Sequence, residues 1–160
     1  MLMSKANGFV NSWLRHRLVI LELLEQLQDE HLDYRPWEKG MSLKELVLHI
    51  LQSADMFVNS VIAGHFVSPA EPEKAVNTVA ELRELAQALT DKNRQSLSSL
   101  PDEKFAAMVD VTKPFGRPLS GEVLLQMMRD HEIHHKGQLY TYARIVGVET
   151  LPLFVKLQLD

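Results

Sequence analysis

Apolar residues recur every three or four positions along four long segments of this chain, and this spacing constrains the fold more than any other feature. It places the apolar side chains on one face of an α-helix, which must then be buried against a neighbour. The predicted helices cover approximately residues 8–28, 42–63, 78–100 and 120–146. Because such helices can bury their apolar faces only against one another, we predict an all-α, four-helix bundle.

Local signals mark where these helices begin and end. Ser42 and Thr78 each stand three residues before a glutamate, a capping box in which the hydroxyl and the carboxylate bond to free backbone N–H groups. Gly64 is placed to end the second helix. Prolines and a glycine interrupt residues 101–119, which we predict to form a long crossover between helices 3 and 4. Within it, residues 108–112 favour a small strand or an extended segment.

Composition limits the classes of function. The 160 residues are 46% hydrophobic and 24% charged, which is ordinary for a single domain, here residues 1–160. The first eight residues lack a signal-peptide core, and no apolar run approaches the roughly 18 residues of a membrane span, so we expect a cytoplasmic protein without membrane contact. The net charge of −4, without a basic stripe, argues against a nucleic-acid partner. Because there is no cysteine, any thiol must come from a substrate.

Two histidines on the fourth predicted helix indicate a metal site. His131 and His135 are four residues apart, which on a helix is a rotation of about 40°, so both rings project from the core-facing stripe. Two imidazoles among apolar side chains are costly unless something satisfies them, and imidazole is a common ligand of divalent metals. His49, at the edge of the stripe of the second helix, is our prediction for the third ligand. By itself, a histidine in that position is more often a packing residue.

The same stretch supports a second interpretation. Residues 131–135 match H-E-x-x-H, the zinc-peptidase motif in which Glu132 would be the general base. The extended form of that motif requires a glycine and a histidine where this chain has Gln138 and Thr141. We keep a metallopeptidase as an alternative. Elsewhere on the helix, Gly137 would allow close approach of a neighbour, and we read Gln138 as polar packing.

Three stretches of the sequence together resemble a known family. They are residues 41–50, MSLKELVLHI, residues 131–139, HEIHHKGQL, and residues 144–147, RIVG. With them, almost the whole chain resembles the DinB-like (DinB/YfiT) superfamily of metal-binding proteins. The resemblance implies a four-helix bundle, often a homodimer, whose metal triad falls on His49, His131 and His135. The remaining histidines are not expected to be ligands.

Three histidine ligands leave at least one coordination position open, as in catalytic metal sites. The family resemblance implies that some relatives transfer low-molecular-weight thiols to electrophiles with such a metal. We therefore predict a metal-dependent thiol S-transferase that binds zinc or nickel through His49, His131 and His135 and acts on a small molecule. The alternative from another class is a metal-binding stress-response bundle without catalysis.

Overall fold

The computed structural model describes residues 4–159, in which six α-helices and one two-stranded sheet are formed. The first three residues of the N-terminal segment considered above, and residue 160, lie outside it. The four long helices are α1 (Lys5–Leu24), α2 (Leu43–Ala63), α3 (Val79–Ser98) and α6 (Gly121–Ile145). The predicted four-helix bundle is therefore confirmed.

The capping signals predict the ends of these helices well. Ser42 and Thr78 form the expected capping boxes, and Gly64 ends α2 in the left-handed conformation with φ of 79°. The first helix differs, because it begins at Lys5 and ends at Leu24 instead of covering residues 8–28. Its apolar stripe continues to the buried Leu27, but the N–H groups of residues 25–27 bond to carbonyls three residues back, so α-helical geometry has ended.

The crossover between α3 and α6 contains four short elements. They are α4 (Glu103–Ala106), β1 (Met108–Val109), α5 (Thr112–Phe115) and β2 (Leu119–Ser120). The two strands pair antiparallel, so the predicted strand is formed over its first two residues, while its end enters α5. A backbone bridge between His65 and Asp110 ties the crossover to the end of α2.

The long helices do not follow one another around the bundle. α1 packs against α3 and α6, and α2 also packs against α3 and α6, so the consecutive helices α1 and α2 lie diagonally opposite. α3 and α6 form the other diagonal. The prediction of one crossover is thus incomplete, since the connection between α1 and α2 also crosses the bundle. The spacing of apolar residues shows which face of a helix is buried but not which neighbour covers it.

Two apolar clusters fill the bundle, one towards each end. Between them lie buried polar side chains from three helices, here called the polar layer: Arg17, Thr90, Asn93 and Glu132. By length and composition alone, α2 is apolar enough to cross a membrane, whereas no such segment was expected from the sequence. Because 61% of its apolar window is buried inside the bundle, α2 has the character of a core helix.

Two glycines of α6 have opposite surroundings. A Cβ atom added to Gly121, at the start of the helix, would lie 2.1 Å from the carbonyl oxygen of Lys104. One added to Gly137 would meet nothing within 4 Å, so the expectation that Gly137 allows close helix approach is wrong.

These surroundings predict stability changes of opposite sign. Gly121→Ala should lower the free energy of unfolding by about 1–3 kcal/mol, because the backbone of the crossover must move away. Gly137→Ala should raise it by up to about 1 kcal/mol, because alanine loses less conformational entropy in a helix. Urea unfolding followed by circular dichroism measures both. Equal effects of the two substitutions would contradict the close contact at Gly121.

Candidate metal centre

The three predicted ligands come together in the structure. His49 on α2 faces His131 and His135 on α6, since these two helices pack against each other. The Nε2 atom of His49 lies 3.0 Å from that of His131 and 3.1 Å from that of His135. The three ligand atoms all lie within 4.8 Å of one another, with His135 buried and the other two rings half-buried.

This arrangement fits a divalent metal ion better than hydrogen bonding between the rings. A tetrahedral zinc ion with Zn–N distances of about 2.0–2.1 Å holds two ligand nitrogens about 3.3 Å apart. A ring nitrogen carries either one proton or one lone pair, so His49 Nε2 cannot form two well-aligned bonds with its neighbours. A cation would engage all three lone pairs at once. The group can therefore hold a divalent metal.

Burial keeps these rings in the form that binds a metal. Desolvation, followed by the neighbouring His135, His49 and His134, lowers the pKa of His131 to about 4. Desolvation and His135 also lower the pKa of His49. At neutral pH both rings are therefore uncharged, and a neutral imidazole has a lone pair available for coordination.

Gln138 orients one of the three rings. Its Oε1 atom accepts a hydrogen bond of 2.7 Å from His135 Nδ1, with the proton assigned to Nδ1. That tautomer leaves the lone pair of His135 Nε2 directed towards the other two rings. From the sequence, Gln138 was expected only to be a polar packing residue. Its position in the sequence could have indicated this role. Gln138 follows His131 by seven residues, which is about two helical turns, so both lie on nearly the same face of α6.

Glu132 faces away from the histidine group. Its carboxylate accepts bonds from Arg17 Nε and Nη2 at 2.6 and 2.8 Å and from Trp13 Nε1 at 2.8 Å. Glu132 is 1% exposed and Arg17 is completely buried. Adjacent residues on a helix are about 100° apart, so Glu132 points towards α1 while His131 points towards α2. The metallopeptidase alternative is therefore wrong, because Glu132, the general base it requires, is bound by Arg17 and Trp13 on the side of α6 away from the histidines.

The histidines that were not expected to be ligands lie outside the group: His16, His31, His65 and His134. His134 is exposed, and its ring contacts that of His135 with a centroid distance of 4.8 Å. His16 bonds through Nδ1 to Lys136 Nζ, at 2.8 Å, on the side of α6 that faces α1. His134 is thus a suitable control for the three predicted ligands.

Metal content should depend on each of the three rings. We expect purified, untagged protein loaded with zinc or nickel to hold about one metal per chain. Replacing His49, His131 or His135 with alanine should remove most of it while the helical circular dichroism spectrum is kept, and His134→Ala should retain it. Elemental analysis measures the content. Full occupancy in any of the three variants would exclude that residue as a ligand.

Glu132→Gln should lower stability and leave metal content unchanged, because the glutamine oxygen can still accept bonds that orient α6. The substitution keeps the size of the side chain but leaves the Arg17 charge buried without its partner, which we expect to cost about 3–5 kcal/mol in urea unfolding. Metal stoichiometry, measured where the variant is folded, should match the wild type. A variant of normal stability that loses its metal would show that Glu132 acts at the metal.

Almost the whole chain is similar to known proteins. The family model described as "DinB family" matches residues 3–159. The chain is 40% identical to YjoA of Bacillus subtilis strain 168 over 152 residues, which cover 95% of this chain and 97% of that protein. The family match therefore spans all four long helices, from α1 to α6.

Solved structures show the same fold. The crystal structure of the DinB-like protein YjoA superimposes with a TM-score of 0.82 at 37% identity, covering 95% of this chain and 100% of that one. A DinB-like protein from Bacillus cereus ATCC 10987 gives 0.77 at 21% identity, covering 91% and 95%. YfiT of Bacillus subtilis, described as a probable metal-dependent hydrolase with an unusual four-helix bundle topology, gives 0.66 at 19% identity, covering 91% of each chain.

Proposed function

Because the chain belongs to the DinB family, we propose that it is a metal-dependent thiol transferase. His49, His131 and His135 would hold a zinc or nickel ion, and the substrate would be a low-molecular-weight thiol together with an electrophile. One observation carries this proposal: three imidazole nitrogens converge from two helices and fill only part of a metal coordination sphere. A metal held by three histidines would have at least one further coordination position for a small ligand.

The chemistry of a thiol suits this site. A bound divalent metal would lower the pKa of a thiol in the open position, so that its sulfur is a thiolate at neutral pH. With the metal held by His49, His131 and His135, the thiol would lose its proton to solvent. Its sulfur would bond to an electrophilic carbon while the leaving group departs with the bonding electron pair. The chain has no cysteine, so the transferred sulfur must belong to the small molecule.

The chain's own residues prepare the site in two ways. His131 and His49 stay neutral because burial lowers their pKa values. Gln138 fixes the orientation of His135 through its Nδ1 proton. Glu132 cannot serve as a base because Arg17 and Trp13 hold its carboxylate. The free pKa of a thiol is far below that of water. A thiol therefore needs less help from a base, which supports thiol transfer over hydrolysis.

We extend the proposal to the setting of the protein. It would act in the cytoplasm as a homodimer, without a nucleic-acid or membrane partner. The net charge of −4 and the burial of α2 in the bundle support the absence of those two partners. Sedimentation velocity on the purified protein measures the oligomeric state directly.

Activity should require the metal, the thiol and each of the three histidines. Zinc- or nickel-loaded protein, given glutathione, cysteine or mercaptoethanol with chlorodinitrobenzene, should form the thioether at a rate measured by absorbance. His131→Ala should lower that rate by roughly 100-fold or more, and His134→Ala should leave it within about twofold. An ester panel without thiol tests the hydrolase activity ascribed to YfiT.

Two outcomes would overturn the proposal. Stoichiometric metal without turnover of any thiol or ester would identify a non-catalytic metal-binding bundle. Ester hydrolysis that needs the metal but no thiol would identify a hydrolase.

A further inference from the structure

We propose that Phe115 determines which electrophile this site accepts, by binding substrates that carry a planar, apolar group. The inference rests on the proposed function and names the substrate class of that same site. The proposal depends on the position of the Phe115 ring. Phe115 lies in the crossover, and the three histidines lie on α2 and α6.

The fold holds Phe115 in place through backbone contacts. Phe115 is the last residue of α5, and Gly116 ends that turn with φ of 78°. Upstream, Asp110 accepts a bond from Phe66 N, at 2.8 Å, and donates one to the carbonyl oxygen of Gly64, at 3.1 Å. The neighbouring Val111 is 1% exposed. The short α5 turn is therefore fastened to the end of α2, the helix that carries His49.

A row of aromatic rings connects Phe115 to the histidine group. Its ring stacks nearly parallel on Phe57, with centroids 6.0 Å apart and an interplanar angle of 10°. Phe57 is only 4% exposed, and its ring lies 6.4 Å from that of His131 at an angle of 58°. Phe57 therefore packs against one face of the Phe115 ring. The residue is nevertheless 36% exposed to solvent.

An exposed aromatic ring separated from the histidine group by one other ring, that of Phe57, offers a specific kind of binding surface. Aromatic rings favour offset stacking with other planar groups, beyond the gain from apolar burial alone. Small-molecule sites commonly combine such apolar walls with a few polar groups that fix orientation. Here the histidine group would supply the reactive centre, and Phe115 would hold the planar part of the electrophile. The reacting carbon of the electrophile would bond to the thiol sulfur while the leaving group departs with its electron pair and the thiol proton passes to solvent.

Binding can be tested without turnover, using cobalt-loaded protein and its visible spectrum. Phenylimidazole and methylimidazole both offer a nitrogen to the metal, but only the first carries an additional ring. In the wild type, the phenyl group should add to the affinity. We expect the affinity for phenylimidazole, divided by that for methylimidazole, to fall by roughly threefold to tenfold in Phe115→Ala. Phe115→Leu, which keeps an apolar side chain, should also lower the ratio. Phe154→Ala, which truncates another exposed phenylalanine on the C-terminal segment, should leave it unchanged.

Kinetics provide the second readout. With a fixed thiol, Phe115→Ala should raise KM for chlorodinitrobenzene and leave KM for the small alkyl electrophile iodoacetamide unchanged. An affinity ratio unchanged in Phe115→Ala overturns the role of Phe115, even where turnover proves the transferase. A changed ratio in a protein that turns over no thiol supports the aromatic subsite and overturns the proposed function. Circular dichroism of each variant shows whether it is folded.

Discussion

The buried ion pair between Arg17 and Glu132 is the constraint on which the arrangement of the site depends. Removing two charges from water costs several kcal/mol for each, and this is tolerated only where their hydrogen-bonding groups are satisfied. Here Arg17 and Trp13 engage both carboxylate oxygens, and Arg17 Nη1 also donates to Thr90 Oγ1 at 3.2 Å. A rotation of α6 would break these bonds at once. Because Glu132 must face α1, the adjacent His131 faces α2.

The polar layer and the two apolar clusters have different roles. The clusters above and below it provide the burial that drives folding, since they contain most of the large apolar side chains of the long helices. Apolar surfaces alone tolerate small changes in helix rotation and register. The Arg17, Glu132 and Thr90 side chains of the polar layer do not, because each bond between them has a fixed direction. We interpret it as the feature that selects one packing of the bundle and so places the histidines.

The proposed site divides its tasks between helices and crossover. α2 and α6 are rigid elements, so they hold three ring nitrogens within bonding reach of one metal. The crossover, through Phe115, would set the shape of the accepted substrate. Connections vary more readily than core helices, because fewer buried contacts depend on them. A bundle of this type could therefore keep one metal site while its crossover changes specificity.

By itself, the sequence determined features whose cause is local. Helical hydrogen bonds span only four residues, so the spacing of apolar residues was enough to predict which faces are buried. Ser42 and Thr78 predicted two helix starts, and the spacing of His131 and His135 placed both on one face. Only the tertiary structure decided that His49 meets them, because this requires α2 to neighbour α6 and lie diagonal to α1. The same holds for the partner of Glu132, 115 residues away, and for the stacking of Phe115 on Phe57. Such contacts follow from burying all four helix faces together, which no local pattern encodes.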